Sequence, residues 1–156
     1  NMAIASLQAE RQLKQPTLLE QAKEASLIDI SLPDIKGKQQ KLSDLKGKVV
    51  LLDFTAYQTD YSPEYNILLA KIYKQFRDKG FEIYQVSLDN NENFWKVSAS
   101  NLPWICVRDE ASIYSTVANL YNVKNLPSAF LIDRTGAIQK RIASIESISG
   151  EIQKLL

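Results

Sequence analysis

The chain has 156 residues, 45% apolar and 24% charged, with 19 basic against 18 acidic side chains. This bounds one globular domain with an ordinary core, with or without a short appendage, and a net charge of +1 gives no reason to propose nucleic acid or a membrane surface as partner. A single cysteine excludes an internal disulfide, the lack of histidine removes the commonest general base and neutral metal ligand, and no run approaches the ~20 apolar residues of a membrane span.

Residues 1–26 are rich in Gln, Glu, Lys and Ala and read as a helical linker or appendage, broken at Pro16, with no signal-peptide h-region. The domain proper is read as 27–156. Leu27 to Leu32 alternates apolar with polar residues and predicts a strand closed by Pro33; after a turn at Asp34 to Lys38, Gln40 to Leu42 returns as its hairpin partner. Val49 to Phe54 is nearly continuous apolar with one carboxylate, Asp53, as expected of a central strand covered on both faces. Ser62-Pro63 then reads as N-cap and first helical residue, with Thr59 or Asp60 as alternative caps. Tyr65, Leu69, Ile72 and Phe76 lie on one face of a helix that runs to Lys79 and closes at Gly80.

Phe81 to Leu88 predicts the next strand, and Asp89-Asn90-Asn91 caps a helix through Phe94, Trp95 and Val97 that ends at Asn101-Leu102-Pro103. Trp104 to Val107 is a short strand carrying Cys106, and Asp109-Glu110 opens a helix with Ile113, Val117, Leu120 and Tyr121 on one face. Ala129 to Ile132 and Ala137 to Ile142 pair across an Arg134-Thr135-Gly136 turn, and Ser149 caps a last helix with Ile152, Leu155 and Leu156. Strands alternating with helices, then a hairpin, then a helix, describe an α/β sandwich around a mixed sheet. In such sheets a site sits where a strand turns into a helix, here between Thr55 and Ser62.

Asp53-Phe54 with the turn after it, Lys79-Gly80-Phe81-Glu82-Ile83, and Leu126-Pro127-Ser128-Ala129-Phe130-Leu131-Ile132-Asp133 resemble the thioredoxin fold. The branch resembled is the TlpA/ResA-type thiol-disulfide oxidoreductases, related to AhpC/TSA. The hairpin region is similar to that family's PDxxGKxxxLSDxKGKxVLLDF pattern. The resemblance covers about Leu27 to Leu156 and implies a three-layer sandwich with an N-terminal β-hairpin. It also implies that residues 1–26 end a linker from a missing upstream region, and that the protein works in the periplasm or otherwise outside the cytoplasm.

The family motif DFWASWCxxC, laid on Asp53 to Ser62 without gaps, places its two cysteines on Thr59 and Ser62. Disulfide exchange needs an attacking thiolate and a resolving thiol, and a hydroxyl replaces neither. The resemblance therefore carries over the position of a catalytic site but no catalytic residue, and no cofactor or metal is expected. Asp53 stands six residues before Thr59, where the family's buried aspartate assists proton transfer. With no thiol to serve, it is expected to be structural, with a raised pKa from burial.

The resemblance also implies that Pro127 is cis and faces the turn, with the Leu126 backbone placed to pair with peptide. The sequence reading is accordingly a degenerate, redox-inactive module that binds a peptide or protein partner, or serves structurally, through Tyr57, Thr59, Asp60, Tyr61, Ser62, Leu126 and Pro127. Two alternatives stand beside it. One is thiol-disulfide or one-cysteine peroxidase activity at Cys106. A peroxiredoxin-like DFTFxC pattern would, however, put that cysteine at Gln58, and a lone cysteine on an apolar strand is most often a small core residue. The other is binding of glutathione or another thiolate through Thr59 or Ser62.

Overall fold

The computed structural model describes residues 28–156, so the linker expected at 1–26 and the first residue of the expected first strand lie outside the described residues. Five strands form a mixed sheet in the order β5-β4-β3-β6-β7: β3 (Val49–Thr55), β4 (Phe81–Ser87), β5 (Ile105–Arg108), β6 (Ser128–Ile132) and β7 (Ile138–Ile142). A separate antiparallel hairpin, β1 (Ser31–Pro33) with β2 (Gln39–Lys41), precedes it. The first expected strand is shorter than its alternation suggests. Before Ser31 the Ile30 carbonyl still accepts from the N–H of Leu42 at 2.9 Å, and the Asp29 carboxylate accepts from the N–H of Ile30 and the N–H of Ser43.

β3 is the axis of the molecule. It pairs parallel with β4, Val49 opposite Phe81, and antiparallel with β6, Val50 opposite Ile132, and all seven of its residues are buried. Period-two alternation divides it between two cores. Val49 and Leu51 pack with Leu69, Ile72 and Phe76 of α1 (Ser62–Phe76) and Ile148 and Ile152 of α4 (Ile148–Leu155). Val50, Leu52 and Phe54 pack on the other face with Tyr121, Phe130 and Ala118 of α3 (Thr116–Leu120). Asp53 has the parity of Val49 and Leu51, so its carboxyl points to the α1 side.

Four helix boundaries differ from the sequence reading. α1 begins at Ser62 itself, with Tyr61 as the flanking residue and no side-chain cap; neither Ser62, Thr59 nor Asp60 caps it. Its last turn tightens into a 3-10 segment, Arg77–Lys79, before Gly80, whose φ of 92° terminates the helix. The helix expected from Asp109 is only a 3-10 turn, Ser112–Tyr114, followed by α3, which Ser115 caps by accepting from the N–H of Ala118. Ser112 has φ 52°, and Ile113 is 83% exposed instead of joining the face of Val117 and Tyr121. Finally, α4 starts at Ile148, not after Ser149, because Ser144 to Ser147 forms a 3-10 turn closed by the Ser144 hydroxyl. α2 (Glu92–Ala99) is capped by Asn91, which accepts from the N–H of Phe94.

Candidate functional site

The turn between β3 and α1 is held from beneath by a buried carboxylate. Asp89, just past β4, accepts from the backbone N–H groups of Tyr57 at 2.8 Å and Gln58 at 3.0 Å and from the Ser87 hydroxyl. Arg108 on β5 fixes the Asp89 carbonyl through its Nε at 3.0 Å. Buried backbone donors need such partners, and a carboxylate satisfies two at once. The sequence reading treated Asp89 only as part of a helix-capping run and missed this role.

The expected site residues divide between wall and core. Thr59 is half-buried, and its hydroxyl donates to the Ala56 carbonyl at 2.7 Å. Ser62 is 3% exposed, and its hydroxyl accepts from Asn66 Nδ2 at 3.5 Å. Neither hydroxyl has a base beside it, and the chain has no histidine. Tyr61 shares a 2.9 Å hydrogen bond with the Thr55 hydroxyl, and its ring meets Tyr65 edge to face at 5.7 Å. Asp60 is exposed. Tyr57, expected on a binding surface, is turned into the core at 5% exposure because Gln85 offers its hydroxyl a buried acceptor at 2.6 Å.

Gln85, opposite Asp53 in the β3–β4 register, is the residue that joins these groups. Its amide nitrogen donates to Asp53 Oδ2 at 3.0 Å and to Asn66 Oδ1 at 3.1 Å. Its carbonyl accepts from Tyr57 and, at 2.9 Å, from the Trp104 indole. The one sequence signal for it was an amide inside an otherwise apolar strand. Asp53 is wholly buried and also accepts from the Tyr65 hydroxyl. Loss of solvent pushes its carboxyl up to about 7, against the opposing pull of the hydrogen bonds from Tyr65 and Gln85. Asp53 is thus bonded to a hydroxyl and an amide.

Cys106 lies on the same side of the sheet, 6% exposed, with its Sγ 3.8 Å from Gln85 Oε1. Burial pushes its thiol up to about 12, so the sulfur is neutral at physiological pH. This does not fit the redox alternative at Cys106, since a reactive cysteine needs a lowered pKa and access.

The Leu126–Pro127 peptide bond is cis. Each of the two residues lines a different cavity. The Pro127 cavity, about 210 Å³, is walled by Tyr65, Leu68, Ala129, Ile142 and Ile145, with Glu146. The Leu126 cavity, about 290 Å³, is walled by Leu88, Ile113, Ala118 and Val123, with Lys124. None of Tyr57, Thr59, Asp60, Tyr61 and Ser62 lines either cavity.

The model of the AhpC/TSA family matches residues 24–141. The chain belongs to that family. Within it the chain is of the ResA/TlpA type. It is 30% identical over 129 residues to the thiol-disulfide oxidoreductase ResA of Bacillus cereus, covering 78% of this chain and 72% of that protein. It is 34% identical to ResA of Bacillus subtilis over 113 residues, 70% of this chain and 60% of that protein. A solved thioredoxin-like protein from Bacteroides vulgatus superimposes with a TM-score of 0.78 at 51% identity, covering 84% of this chain and 86% of the other. A thiol-disulfide oxidoreductase from Bacteroides fragilis does so with a TM-score of 0.75 at 30% identity, covering 83% and 98%. Among the described residues no helix is long and apolar enough to cross a membrane.

Proposed function

We propose that this member of the thiol-disulfide oxidoreductase family does not exchange disulfides, and that it holds an extended segment of a partner protein beside Leu126 and Pro127. One observation carries the reading: hydroxyls stand at both positions of the family's cysteine pair while the chain's single thiol is buried and neutral. Thr59 already spends its proton on Ala56 and Ser62 is covered, which also disfavours either as a donor to a bound thiolate such as glutathione.

What supports a binding role is the scaffold around the lost chemistry. The turn is anchored by Asp89, Pro127 is exposed, and one cavity is lined by Pro127 and another by Leu126. We place the protein outside the cytoplasm, with residues 1–26 as a linker, on the strength of the family resemblance.

The test is an insulin-reduction assay with dithiothreitol as electron donor. The expected result is a turbidity onset no earlier than with dithiothreitol alone. Acceleration by catalytic amounts of the native chain would overturn the reading.

A further inference from the structure

At the β5 edge of the sheet lies a cavity of about 370 Å³, large enough for a small organic molecule. Its origin is in the strand register. β5 begins opposite Tyr84, so Phe81 to Ile83 of β4 have no strand on that side. There the Glu82 carboxylate takes the Ile83 N–H, at 2.9 Å. The β1–β2 turn and the segment joining α2 to β5 supply the other walls.

Those walls are held in place. Asp34 bridges to Val107 of β5, and its carboxylate is spent on its own hairpin, accepting from the N–H groups of Lys36 and Lys38 and from Gln40 Nε2. The Tyr84 hydroxyl donates to the Gln40 carbonyl at 2.7 Å. The Trp104 ring is fixed by its hydrogen bond to Gln85, and Ile35 and Leu102 add apolar surface.

Charge decides what such a cavity takes. Two carboxylates line it, Asp34 and Glu82, against one cation, the exposed Lys36. Glu82 is half-buried, and no lysine or arginine lies within ion-pair distance of it among the described residues. Burial pushes its carboxyl above the usual range, against the hydrogen bonds from Ile83 and Tyr73 and the charges of Lys48 and Arg77. A half-buried carboxylate short of a cation is stabilised by a ligand that brings one.

We infer that this cavity binds a small primary amine, its ammonium on Glu82 and its apolar body against Leu102 and Trp104. The site is separate from the partner site at Pro127 and does not rest on it. Cys106 also belongs to the lining, but at 6% exposure and with a neutral sulfur it supplies surface and no chemistry.

Hexylamine, hexan-1-ol and hexanoate share one apolar chain and differ in charge. Each is titrated at pH 7 into the nitrogen-15-labelled native chain and followed by NMR. Hexylamine is expected to move the Ile83 amide and Trp104 indole signals saturably, with a Kd about tenfold below that of hexan-1-ol, and hexanoate to leave them in place. Glu82→Gln keeps an acceptor for the Ile83 N–H and removes the charge. It is expected to bring hexylamine to the affinity of hexan-1-ol and to leave the alcohol's affinity unchanged, which also reports an intact fold. Equal binding of amine and alcohol by the native chain, an amine preference that survives Glu82→Gln, or no saturable shift of these two signals with any probe would overturn the inference. None of these outcomes bears on the reading at Pro127.

Discussion

The double variant Thr59→Cys/Ser62→Cys is expected to reduce insulin disulfides where the native chain does not. Ser62 is the first residue of α1, a 15-residue helix whose amino-terminal N–H groups and dipole favour an anion, and Thr59 lies in the turn just before it. In a C-x-x-C turn of this kind a thiol falls from about 8.5 to about 7, which raises its thiolate fraction at pH 7 from about 3% to about 50%. Ser62 is buried, so a cysteine there is shielded, while Thr59 is the more accessible of the two and would attack. With Thr59→Cys alone, exchange should stop at a mixed disulfide for want of a resolving thiol. A double variant that folds normally yet stays inert would mean that the turn has departed from the family's geometry, and that the missing sulfur is not the whole reason for inactivity.

The second large effect is on stability. Asp53→Asn should stabilise the fold at neutral and alkaline pH. The folded carboxyl titrates at about 7 against an ordinary 3.8, so below 3.8 both states hold the proton and nothing is lost. As pH rises from 3.8 the unfolded chain releases its proton while the folded one retains it, and stability falls until about pH 7, beyond which the full cost is present. Roughly three pH units at about 1.4 kcal/mol each set a ceiling of about 4 kcal/mol. An asparagine can accept from Gln85 and donate to the Tyr65 oxygen, so the contacts survive the change. Urea unfolding should show a gain of about 3 kcal/mol at pH 8 that vanishes near pH 4. A gain independent of pH, or a loss at pH 8, would contradict a carboxyl whose burial outweighs its hydrogen bonds from Tyr65 and Gln85.

Much of this fold could be read from residue pattern, and the reasons are local. The apolar run Val49 to Phe54 could only be a strand covered on both faces, and Gly80 marks the end of α1 because its left-handed backbone suits glycine. The misreadings have a common cause: a hydroxyl or carboxylate before a helix resembles a cap whichever backbone it serves. Ser62 and Ser149 have the residue type of caps and make none, while Ser144 closes a 3-10 turn before α4. The Ile113 spacing suited a helix, but Asp109 and Ser115 bond to each other and shape a turn instead.

The site was legible as a position and not as a network. Asp53, Thr59 and Ser62 could be placed from the motif alone. Gln85 and Asp89 lie 32 positions from the groups they hold, Asp53 and Tyr57, and no spacing rule connects residues on adjacent parallel strands. Tyr57 misled because a tyrosine in a turn reads as surface; only the buried acceptor on Gln85 draws it inward.

The most direct measurement is the reactivity of Cys106 toward a disulfide reagent in the native protein and again in denaturant. A buried thiol held near pKa 12 should react only after unfolding, with one equivalent released in denaturant and none on the same timescale before it. Rapid stoichiometric reaction of the native chain at neutral pH would show an accessible thiolate, and the chain would then have a redox centre at Cys106 after all.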